Sequence, residues 1–252
     1  MSIQVRDLSY PRGDFRLAIK ALDFESGRLT SVVGPNGAGK TTLLKCLAGM
    51  FRVPPGRVMV EGRDIATLHE SERARLTSYV PQEHNPVFNY SVFDFVLMGR
   101  AAHLPLFGLP SAEDDRLAEE ALAFVGLESF ASRPYFELSS GERRLILIAR
   151  SLAQRAPVLL LDEPTSFLDP KHERDILELS RKLAVERGQT VVLTLHDLDM
   201  AVKYSDAIVF LKGGGVFASG RPADVLSDKL LEAVYDVKMK IVDVEGRKHV
   251  LR

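Results

Sequence analysis

The segment Gly34–Thr41, which reads GPNGAGKT, constrains the fold of this chain more than any other part of the sequence. It matches the pattern GxxxxGK[ST] in full and lies between a β-rich run at 29–33 and a helical run at 41–50. This order predicts a phosphate-binding loop, because glycines let backbone N–H groups turn toward a phosphate and the helix N-terminus adds positive potential. We expect Lys40 to reach the β- and γ-phosphates and Thr41 to ligate Mg²⁺.

Two carboxylates, Asp162 and Glu163, directly follow the apolar run Val158–Leu161. Open α/β sheets bind ligands at the carboxyl ends of their strands, and successive side chains point opposite ways, so the two acids can serve different partners. We expect Asp162 to hold Mg²⁺ through a water molecule and Glu163 to polarise the attacking water. Acids at strand ends also cap following helices, but the phosphate loop upstream favours the catalytic interpretation.

Strands and helices alternate along most of the chain, which predicts a parallel sheet covered by helices on both faces. The predicted strands are residues 3–10, 15–24, 29–33, 57–60, 77–80, 158–161, 190–195 and 207–211. The predicted helices are residues 41–50, 67–75, 91–99, 112–125, 142–154, 171–187 and 198–204. The segment Lys212–Gly215 predicts a hairpin turn, and residues 221–252 predict short helices and an edge hairpin.

Composition excludes several classes of protein. The 252 residues are 46% hydrophobic and 27% charged, which is typical of a folded globular chain. No uncharged apolar stretch approaches the roughly 18 residues of a spanning helix, and the N-terminus lacks signal-peptide features, so we expect a cytoplasmic protein. A net charge of -1 argues against a nucleic-acid partner. The single cysteine, Cys46, excludes an intrachain disulfide and a cysteine-cluster metal site, and its apolar neighbours predict a buried thiol.

Six motifs occur in the order typical of the nucleotide-binding subunit of ATP-binding cassette (ABC) transporters, and nearly the whole chain resembles that family. They are the phosphate loop Gly34–Thr42, Gln82 in YVPQ, LSSGE at 138–142, the pair Asp162 and Glu163, SFLD at 166–169, and His196. The resemblance implies an α/β fold with a P-loop NTPase core, a mixed and largely parallel sheet, an N-terminal antiparallel β-subdomain and a helical subdomain. It implies one ABC ATPase domain over 1–252, with a nucleotide-binding core at 1–81 and 155–220, the helical subdomain at 82–154 and a C-terminal extension at 221–252.

The resemblance also assigns residues to ATP and Mg²⁺, the two expected cofactors. Tyr10 lies where the family places a ring that stacks on adenine, and Gln82 is expected to touch Mg²⁺ or the attacking water while its loop contacts a membrane partner. His196 is expected to contact the γ-phosphate and to hold Glu163 and the water in place. The implied catalytic residues are Lys40, Gln82, Glu163 and His196, and the implied Mg²⁺ ligands are Thr41, Gln82 and Asp162. The implied ATP contacts are Tyr10, Gly34, Pro35, Asn36, Gly37, Ala38, Gly39, Lys40, Thr41, Thr42, Ser139, Ser140, Gly141 and Glu142.

The segment Leu138–Glu142 resembles the family signature LSGGQ, with Ser140 in place of a glycine and Glu142 in place of glutamine. Arg144, where a glutamine is common, is a further departure. In the family this signature contacts the nucleotide held by the other subunit, so the resemblance implies a homodimer around two ATP molecules, with Asp169 in the loop that crosses the dimer seam. A serine three residues before a glutamate is also a helix capping box, and both roles can hold.

The segments Tyr79–Gln82 and Tyr90–Arg100 resemble those of importer subunits for iron–siderophore complexes, haem and cobalamin. Such subunits work with an integral membrane permease dimer and indirectly with a solute-binding protein, which implies a peripheral location on the cytoplasmic face of the cell (inner) membrane. The apolar residues at 93–98 either present a groove to a permease helix or pack inside the helical subdomain. An ABC ATPase of another importer or of an exporter, and a soluble ABC ATPase that acts on DNA or ribosomes, are the alternatives.

Overall fold

A six-stranded sheet runs through the protein in the computed structural model, which describes residues 1–82, 88–105, 108–244 and 247–251. The strands in the described residues are β1 (Ile3–Arg12), β2 (Phe15–Phe24), β3 (Leu29–Val33), β4 (Val58–Val60), β5 (Arg63–Asp64), β6 (Thr77–Val80), β7 (Val158–Leu161), β8 (Thr190–Thr194), β9 (Ala207–Lys212), β10 (Gly215–Gly220), β11 (Lys240–Val244) and β12 (Arg247–Leu251). The α-helices in the same residues are α1 (Lys40–Leu47), α2 (Glu70–Leu76), α3 (Val92–Leu97), α4 (Ala112–Phe124), α5 (Ser140–Ala153), α6 (Pro170–Arg187), α7 (Leu198–Tyr204), α8 (Pro222–Val225) and α9 (Asp228–Tyr235).

The six central strands lie in the order β10-β9-β3-β8-β7-β6, and four of their five pairings are parallel. The exception is the antiparallel hairpin of β9 and β10, where Gly213 and Gly214 turn the chain with φ angles of 56° and 83°. A two-residue turn with two positive φ angles matches the twist of a hairpin. The hairpin turn predicted at 212–215 is therefore confirmed.

Both faces of the central sheet are buried, and strand β7 shows how its sequence achieves this. Val158 and Leu160 pack in one apolar cluster with residues of β1, β2 and α1, whereas Leu159 and Leu161 pack in a second cluster with residues of α3–α6. All four side chains are fully buried. A continuous apolar run suits a strand that is covered on both faces, since alternate side chains enter opposite layers. The next residue, Asp162, emerges at the carboxyl edge of the sheet.

A four-stranded sheet in the order β2-β1-β4-β5 covers the side of α1 away from the helices of the second cluster. Its named pairings, β1 with β2, β1 with β4 and β4 with β5, are antiparallel. The predicted end of β1 at Tyr10 is wrong, because Pro11 and Arg12 continue the strand and Arg12 pairs with Phe15. This extension brings Arg12 and Phe15 to the phosphate loop. With this sheet, the predicted fold class of a mixed central sheet, an N-terminal antiparallel β-subdomain and a group of helices is confirmed.

Three helices begin or end at residues other than the predicted ones. Helix α1 ends at Leu47 and not at 50, because Gly49 is left-handed with φ of 66° and the Met50 N–H donates to the Lys45 carbonyl at 3.0 Å. Helix α5 begins at Ser140, two residues earlier than predicted, with Ser139 as its N-cap. Helix α2 begins at Glu70, three residues later than predicted.

Helices α3, α4 and α5 pack against each other. In the sequence they lie between strands β6 and β7 of the central sheet. A buried ion pair joins Arg100, in a 3-10 helix after α3, to Asp114 on α4 at 2.8 Å. Parts of the predicted helical subdomain, 83–87 and 106–107, lie outside the described residues. At the C-terminus, β11 and β12 form their own two-stranded sheet and not an edge of a larger one, so the predicted edge position is wrong. The Val250 N–H donates to Asp199 on α7 at 2.8 Å, which holds this hairpin against the helix.

Candidate active site

The loop between β3 and α1 has the backbone shape that the phosphate-loop pattern predicts. Gly34 has φ of 152°, and a Cβ at that position would lie 2.1 Å from the carbonyl oxygen of Leu211. Gly39 has φ of 103°, and a Cβ there would lie 2.8 Å from the ring of Phe15. Only glycine combines that backbone with that lack of space. Helix α1 starts at Lys40, so its unpaired N–H groups face the loop and make the loop attractive to an anion.

The Lys40 side chain is buried against the loop from which it starts. Its Nζ donates to the carbonyl oxygens of Gly34 at 2.9 Å and Pro35 at 3.3 Å, and the residue is 6% exposed. Burial lowers the pKa of Lys40, while the nearby charges of Glu163 and Asp162 oppose that shift. The ammonium is therefore held close to two carboxylates at the mouth of the loop.

Asp162 accepts three hydroxyl groups from three different elements. Thr41 Oγ1 on α1 and Thr194 Oγ1 on β8 donate to its Oδ1 at 3.0 and 2.9 Å, and the Tyr79 hydroxyl on β6 donates to its Oδ2 at 2.9 Å. Asp162 is 2% exposed, so these donors replace the water that a carboxylate needs. Burial raises the pKa of Tyr79, and the negative charge of Asp162 adds to the shift, so Tyr79 stays protonated as a donor.

The carboxylate of Glu163 contacts a different set of side chains from the carboxylate of Asp162. The sequence predicts this difference, because successive side chains at a strand end point opposite ways. The backbone of Glu163 is left-handed, with φ of 46°, and its N–H donates to Thr194 Oγ1 at 2.7 Å. The carboxylate accepts from Gln82 Nε2 at 2.5 Å and Ser166 Oγ at 3.0 Å on Oε2, while His196 Nε2 lies 2.6 Å from Oε1. The predicted residues Gln82, Glu163 and His196 therefore meet in one cluster, although they are far apart in the sequence.

Two cavities meet at this cluster. One, of about 400 Å³, is lined by residues 36–42 of the phosphate loop together with Arg12, Phe15 and Glu163. The other, of about 440 Å³, is lined by Asn36, Gln82, Glu163, Ser166, Phe167 and His196. Glu163 and Asn36 line both cavities, so a group bound in the phosphate loop lies beside the carboxylate that contacts Gln82 and His196. Such an arrangement can hold a phosphate chain and present its end to a base.

Tyr10 does not line either cavity. Its ring stacks on Phe51, with centroids 4.8 Å apart and planes 3° from parallel. The aromatic ring that borders the phosphate loop is Phe15, with the Arg12 side chain beside it. Sequence reasoning missed both residues, because Arg12 fell between the predicted strands 3–10 and 15–24 and Phe15 was predicted only as the first residue of the second strand.

The signature residues form a helix cap and lie away from the phosphate loop. Ser139 Oγ accepts from the Glu142 N–H at 3.3 Å, and Glu142 Oε2 accepts from the Ser139 N–H at 2.7 Å. This is the capping box that the spacing predicts. The hydrogen bond from Ser139 N–H lowers the pKa of Glu142, so its carboxylate is ionised at neutral pH. None of the signature residues 139–142 lines the two cavities at Glu163.

Asp169 caps helix α6 through its side chain. Its Oδ1 accepts from the N–H groups of Lys171 and His172 at 3.0 and 3.1 Å, and its Oδ2 lies 2.5 Å from His172 Nδ1. The hydrogen bond to His172 lowers the pKa of Asp169. His172 also packs on the signature, since a Cβ at Gly141 would lie 2.5 Å from its ring. The predicted seam residue is thus joined to the signature through one imidazole.

Sequence reasoning missed Tyr79, Thr194 and Ser166, which hold the two carboxylates. Thr194 could have been predicted by the same argument as Asp162, because it ends the neighbouring parallel strand at the same sheet edge. Tyr79 lies in the YVPQ motif, but nothing in that motif indicates that its hydroxyl contacts Asp162. Ser166 belongs to the SFLD motif, in which only Asp169 was predicted as a site residue.

The apolar residues at 93–98 differ in their burial. Phe95 and Val96 are 1% and 0% exposed and pack in the core of the helices. Met98 is 38% exposed, so packing inside the helices does not account for all of the apolar residues in this segment. Among the described residues, the helices fall short of the length and apolar character needed to cross a bilayer.

Comparison with known proteins matches residues 18–166 to the ABC transporter domain. The probable iron chelatin transport ATP-binding protein of Helicobacter pylori is 36% identical over 245 residues, a span that covers 96% of each chain. The cobalamin import ATP-binding protein BtuD of Halobacterium salinarum is 41% identical over 215 residues. That match covers 85% of this chain but 54% of the relative, so the chain spans about half of that protein's length.

Among solved structures, a metal-chelate type ABC transporter in an inward-facing conformation superposes with a TM-score of 0.86. The two chains are 31% identical, and the superposition covers 99% of this chain and 96% of the other.

Proposed function

Because this chain belongs to the ABC transporter family, we propose that it binds and hydrolyses ATP to energise an importer of iron–siderophore, haem or cobalamin-type metal chelates. The observation that carries the ATPase proposal is the position of Glu163. One carboxylate borders both the phosphate-loop cavity and the cavity formed with Gln82 and His196. The importer class is supported by the names of the relatives and by the resemblance of the segment around Gln82.

The phosphate loop would hold the triphosphate through backbone N–H groups and Lys40. The Lys40 ammonium donates to two neutral carbonyl oxygens, those of Gly34 and Pro35. Phosphate oxygens are stronger acceptors because a charge-assisted hydrogen bond is about twice as strong as a neutral one. Lys40 would therefore turn from the loop carbonyls to the β- and γ-phosphates when the nucleotide enters.

The residues around Thr41 suit Mg²⁺. The Thr41 hydroxyl and the Asp162 carboxylate are hard oxygen donors 3.0 Å apart. Thr41 and Gln82 would ligate Mg²⁺ directly and Asp162 through water. When bound, the ion neutralises charge on the phosphate oxygens.

Glu163 would act as the general base. Donors from Gln82 and Ser166 fix its Oε2, while Oε1 faces His196. A base fixed on three sides can accept the proton of a water molecule as that water attacks the γ-phosphate. The His196 side chain is 49% exposed, so it can also reach the γ-phosphate from the open side of the cavity.

A second copy of this chain would complete the site. Residues 139–142 lie at the start of α5 and away from the phosphate-loop cavities of their own chain. The N-terminus of α5 can bind an anion, so it would serve the γ-phosphate held by the partner copy. Asp169, with a half-exposed side chain next to this cap, would then lie at the dimer seam.

The proposed assembly places this subunit on the cytoplasmic face of the cell (inner) membrane, beneath a permease dimer that receives solute from a binding protein. The nucleotide-binding core would be 1–81 and 155–220, the helical subdomain 82–154, and the C-terminal extension 221–252. Binding of two ATP molecules would close the dimer, the Gln82 loop would pass the change to the permease, and hydrolysis would reopen the dimer.

The ATPase proposal is tested by nucleotide affinity and turnover in two variants. Lys40→Ala should lose most MgATP affinity, and Glu163→Gln should bind MgATP but hydrolyse it at least about a hundredfold more slowly. Lys45→Ala on the same helix and Glu186→Gln on α6 are the matched controls and should behave like the wild type. Unchanged affinity in Lys40→Ala, or near-normal turnover in Glu163→Gln, would contradict these assignments.

The dimer and the partner are tested separately. The solution mass of the Glu163→Gln protein should double when MgATP is added, whereas a nucleotide-bound monomer would contradict the closed dimer. Affinity purification from the native membrane should recover a permease with a solute-binding protein. Recovery of ribosomes or DNA in its place would favour a soluble ABC ATPase.

A further inference from the structure

Arg144 on helix α5 forms hydrogen bonds with the backbone at Pro81 and Gln82. Its Nη1 donates to the carbonyl oxygen of Pro81 at 2.7 Å, and its Nη2 donates to the carbonyl oxygen of Gln82. One guanidinium thus holds two consecutive carbonyls, and the residue is only 8% exposed. Planar, two-pronged donation of this kind is specific to arginine, because the ammonium of lysine acts as a point charge.

The two ends of this contact belong to different parts of the proposed site. Arg144 lies in the first turns of α5, five residues after the N-cap Ser139. Gln82 follows β6 and donates through Nε2 to Glu163 Oε2 at 2.5 Å. A continuous path of bonded groups therefore runs from the signature end of α5, through the guanidinium and the Gln82 backbone, to the carboxylate proposed as the base.

We propose that Arg144 is a positioning residue that makes the placement of Gln82 on Glu163 depend on the position of the signature helix. The inference rests on the proposed ATPase function and adds a link between the partner's nucleotide, which the signature contacts, and this chain's own base. The physical basis is burial. If α5 moved without the Gln82 loop, the charged guanidinium would lose these two acceptors while shielded from water, and the loss of hydrogen bonds to a buried charged group is costly. The loop therefore follows the helix.

The neighbouring arginine provides a control within the same helix turn. Arg143 Nη2 also donates to a backbone carbonyl, that of Phe136, at 2.6 Å. Phe136 lies in the segment before α5, so this bond does not reach the Gln82 loop. Removing Arg143 takes away one arginine and one carbonyl contact but leaves the link to Glu163 in place.

The test is a double-mutant cycle on steady-state MgATP turnover, with Kd for ATP measured in parallel. Arg144→Met should lower kcat about 10- to 100-fold with Kd unchanged within about twofold, because displacing a catalytic group by about 1 Å costs on the order of 100-fold. Gln82→Ala should lower kcat as well, and Arg144→Met in the Gln82→Ala background should add less than about a twofold loss, since Arg144 acts through Gln82. Arg143→Met should leave kcat nearly unchanged in either background.

Each outcome bears on a different claim. A wild-type protein that fails to hydrolyse MgATP would refute the proposed function. Wild-type turnover with additive losses for Arg144→Met and Gln82→Ala, or with a normal kcat in Arg144→Met, would refute the positioning role alone. If Arg144→Met does not fold, Arg144→Lys supplies the same cycle. It should give a smaller kcat loss that again disappears in the Gln82→Ala background, and an additive loss there would also overturn the inference.

Discussion

Thr194 provides the sharpest test of how the two acidic side chains are held. Its Oγ1 donates to Asp162 Oδ1 at 2.9 Å and accepts from the Glu163 N–H at 2.7 Å. The side chain is fully buried at the end of β8. The substitution Thr194→Val keeps the shape and replaces the hydroxyl by a methyl group, so it removes both hydrogen bonds with little change in volume.

The expected cost follows from these two bonds. Loss of a hydrogen bond to a charged group costs about 1.5–3 kcal/mol, and a buried N–H left without an acceptor costs about 1–3 kcal/mol. Better burial of the new methyl group offsets about 1 kcal/mol. The free energy of unfolding should fall by about 3 kcal/mol, and Tm should fall by about 6–12 °C for a chain of this size. Turnover should also fall, because the backbone of Glu163 loses an anchor.

The measurement is urea unfolding of both proteins, with thermal unfolding as a second readout. Thr190→Val on the same strand is the matched control, because Thr190 is 1% exposed but accepts only a long hydrogen bond of 3.4 Å from the Gly27 N–H. It should cost less than about 1 kcal/mol. If Thr194→Val costs no more than Thr190→Val, then the hydroxyl does not anchor Asp162 and Glu163 as described.

Three further predictions address other parts of the fold. Burial raises the pKa of the Cys46 thiol to about 12. A disulfide reagent at pH 8 should therefore modify the native protein at least about a hundredfold more slowly than the urea-unfolded protein. Equal rates would contradict the burial of the thiol. Gly141→Ala should destabilise the protein, because the new Cβ would lie 2.5 Å from the His172 ring, and His172→Ala should recover part of that loss in the double variant; additive losses in chemical unfolding would disprove the contact. Hydrogen bonds from Ser111 and the ion pair with Arg100 hold the pKa of Asp114 well below its usual value, so its contribution to stability is present above pH 4 and is lost as the pH falls further. Asp114→Asn should therefore unfold more easily at pH 7 and show a smaller loss between pH 5 and pH 3, and an unchanged pH dependence would contradict this.

Local sequence patterns predicted most of the central strands and the phosphate loop correctly, because each of these features depends on residues that are close together in the sequence. The run Val158–Leu161 predicts a doubly buried strand from four consecutive apolar residues, and β7 spans those same residues. The phosphate loop depends on Gly34 and Gly39, whose neighbours leave no room for a side chain. Once the parallel sheet is accepted, its carboxyl edge brings Asp162, Glu163 and His196 together without further information.

Contacts between distant elements were beyond such reasoning. Tyr79 and Asp162 are 83 residues apart, and the hydroxyl finds the carboxylate only because β6 and β7 pair in one particular register. The hydrogen bonds from Arg144 to Pro81 and Gln82 depend on the angle at which α5 crosses the end of β6. No periodic pattern in the sequence specifies that angle. The stacking of Tyr10 on Phe51 is a further contact that the sequence did not reveal, because it joins two elements far apart in the chain.

The capping box at the start of α5 links the two interpretations of the signature segment. The Glu142 carboxylate is ionised and already accepts the Ser139 N–H, so it neutralises the positive end of the helix in the single chain. In the proposed dimer, a γ-phosphate from the partner copy would approach that same helix end. Two anions then share one N-terminus, and the charge of Glu142 opposes the phosphate that the serine and glycine backbone attract. The residue that stabilises the helix in the single chain would thus also limit how tightly the dimer closes.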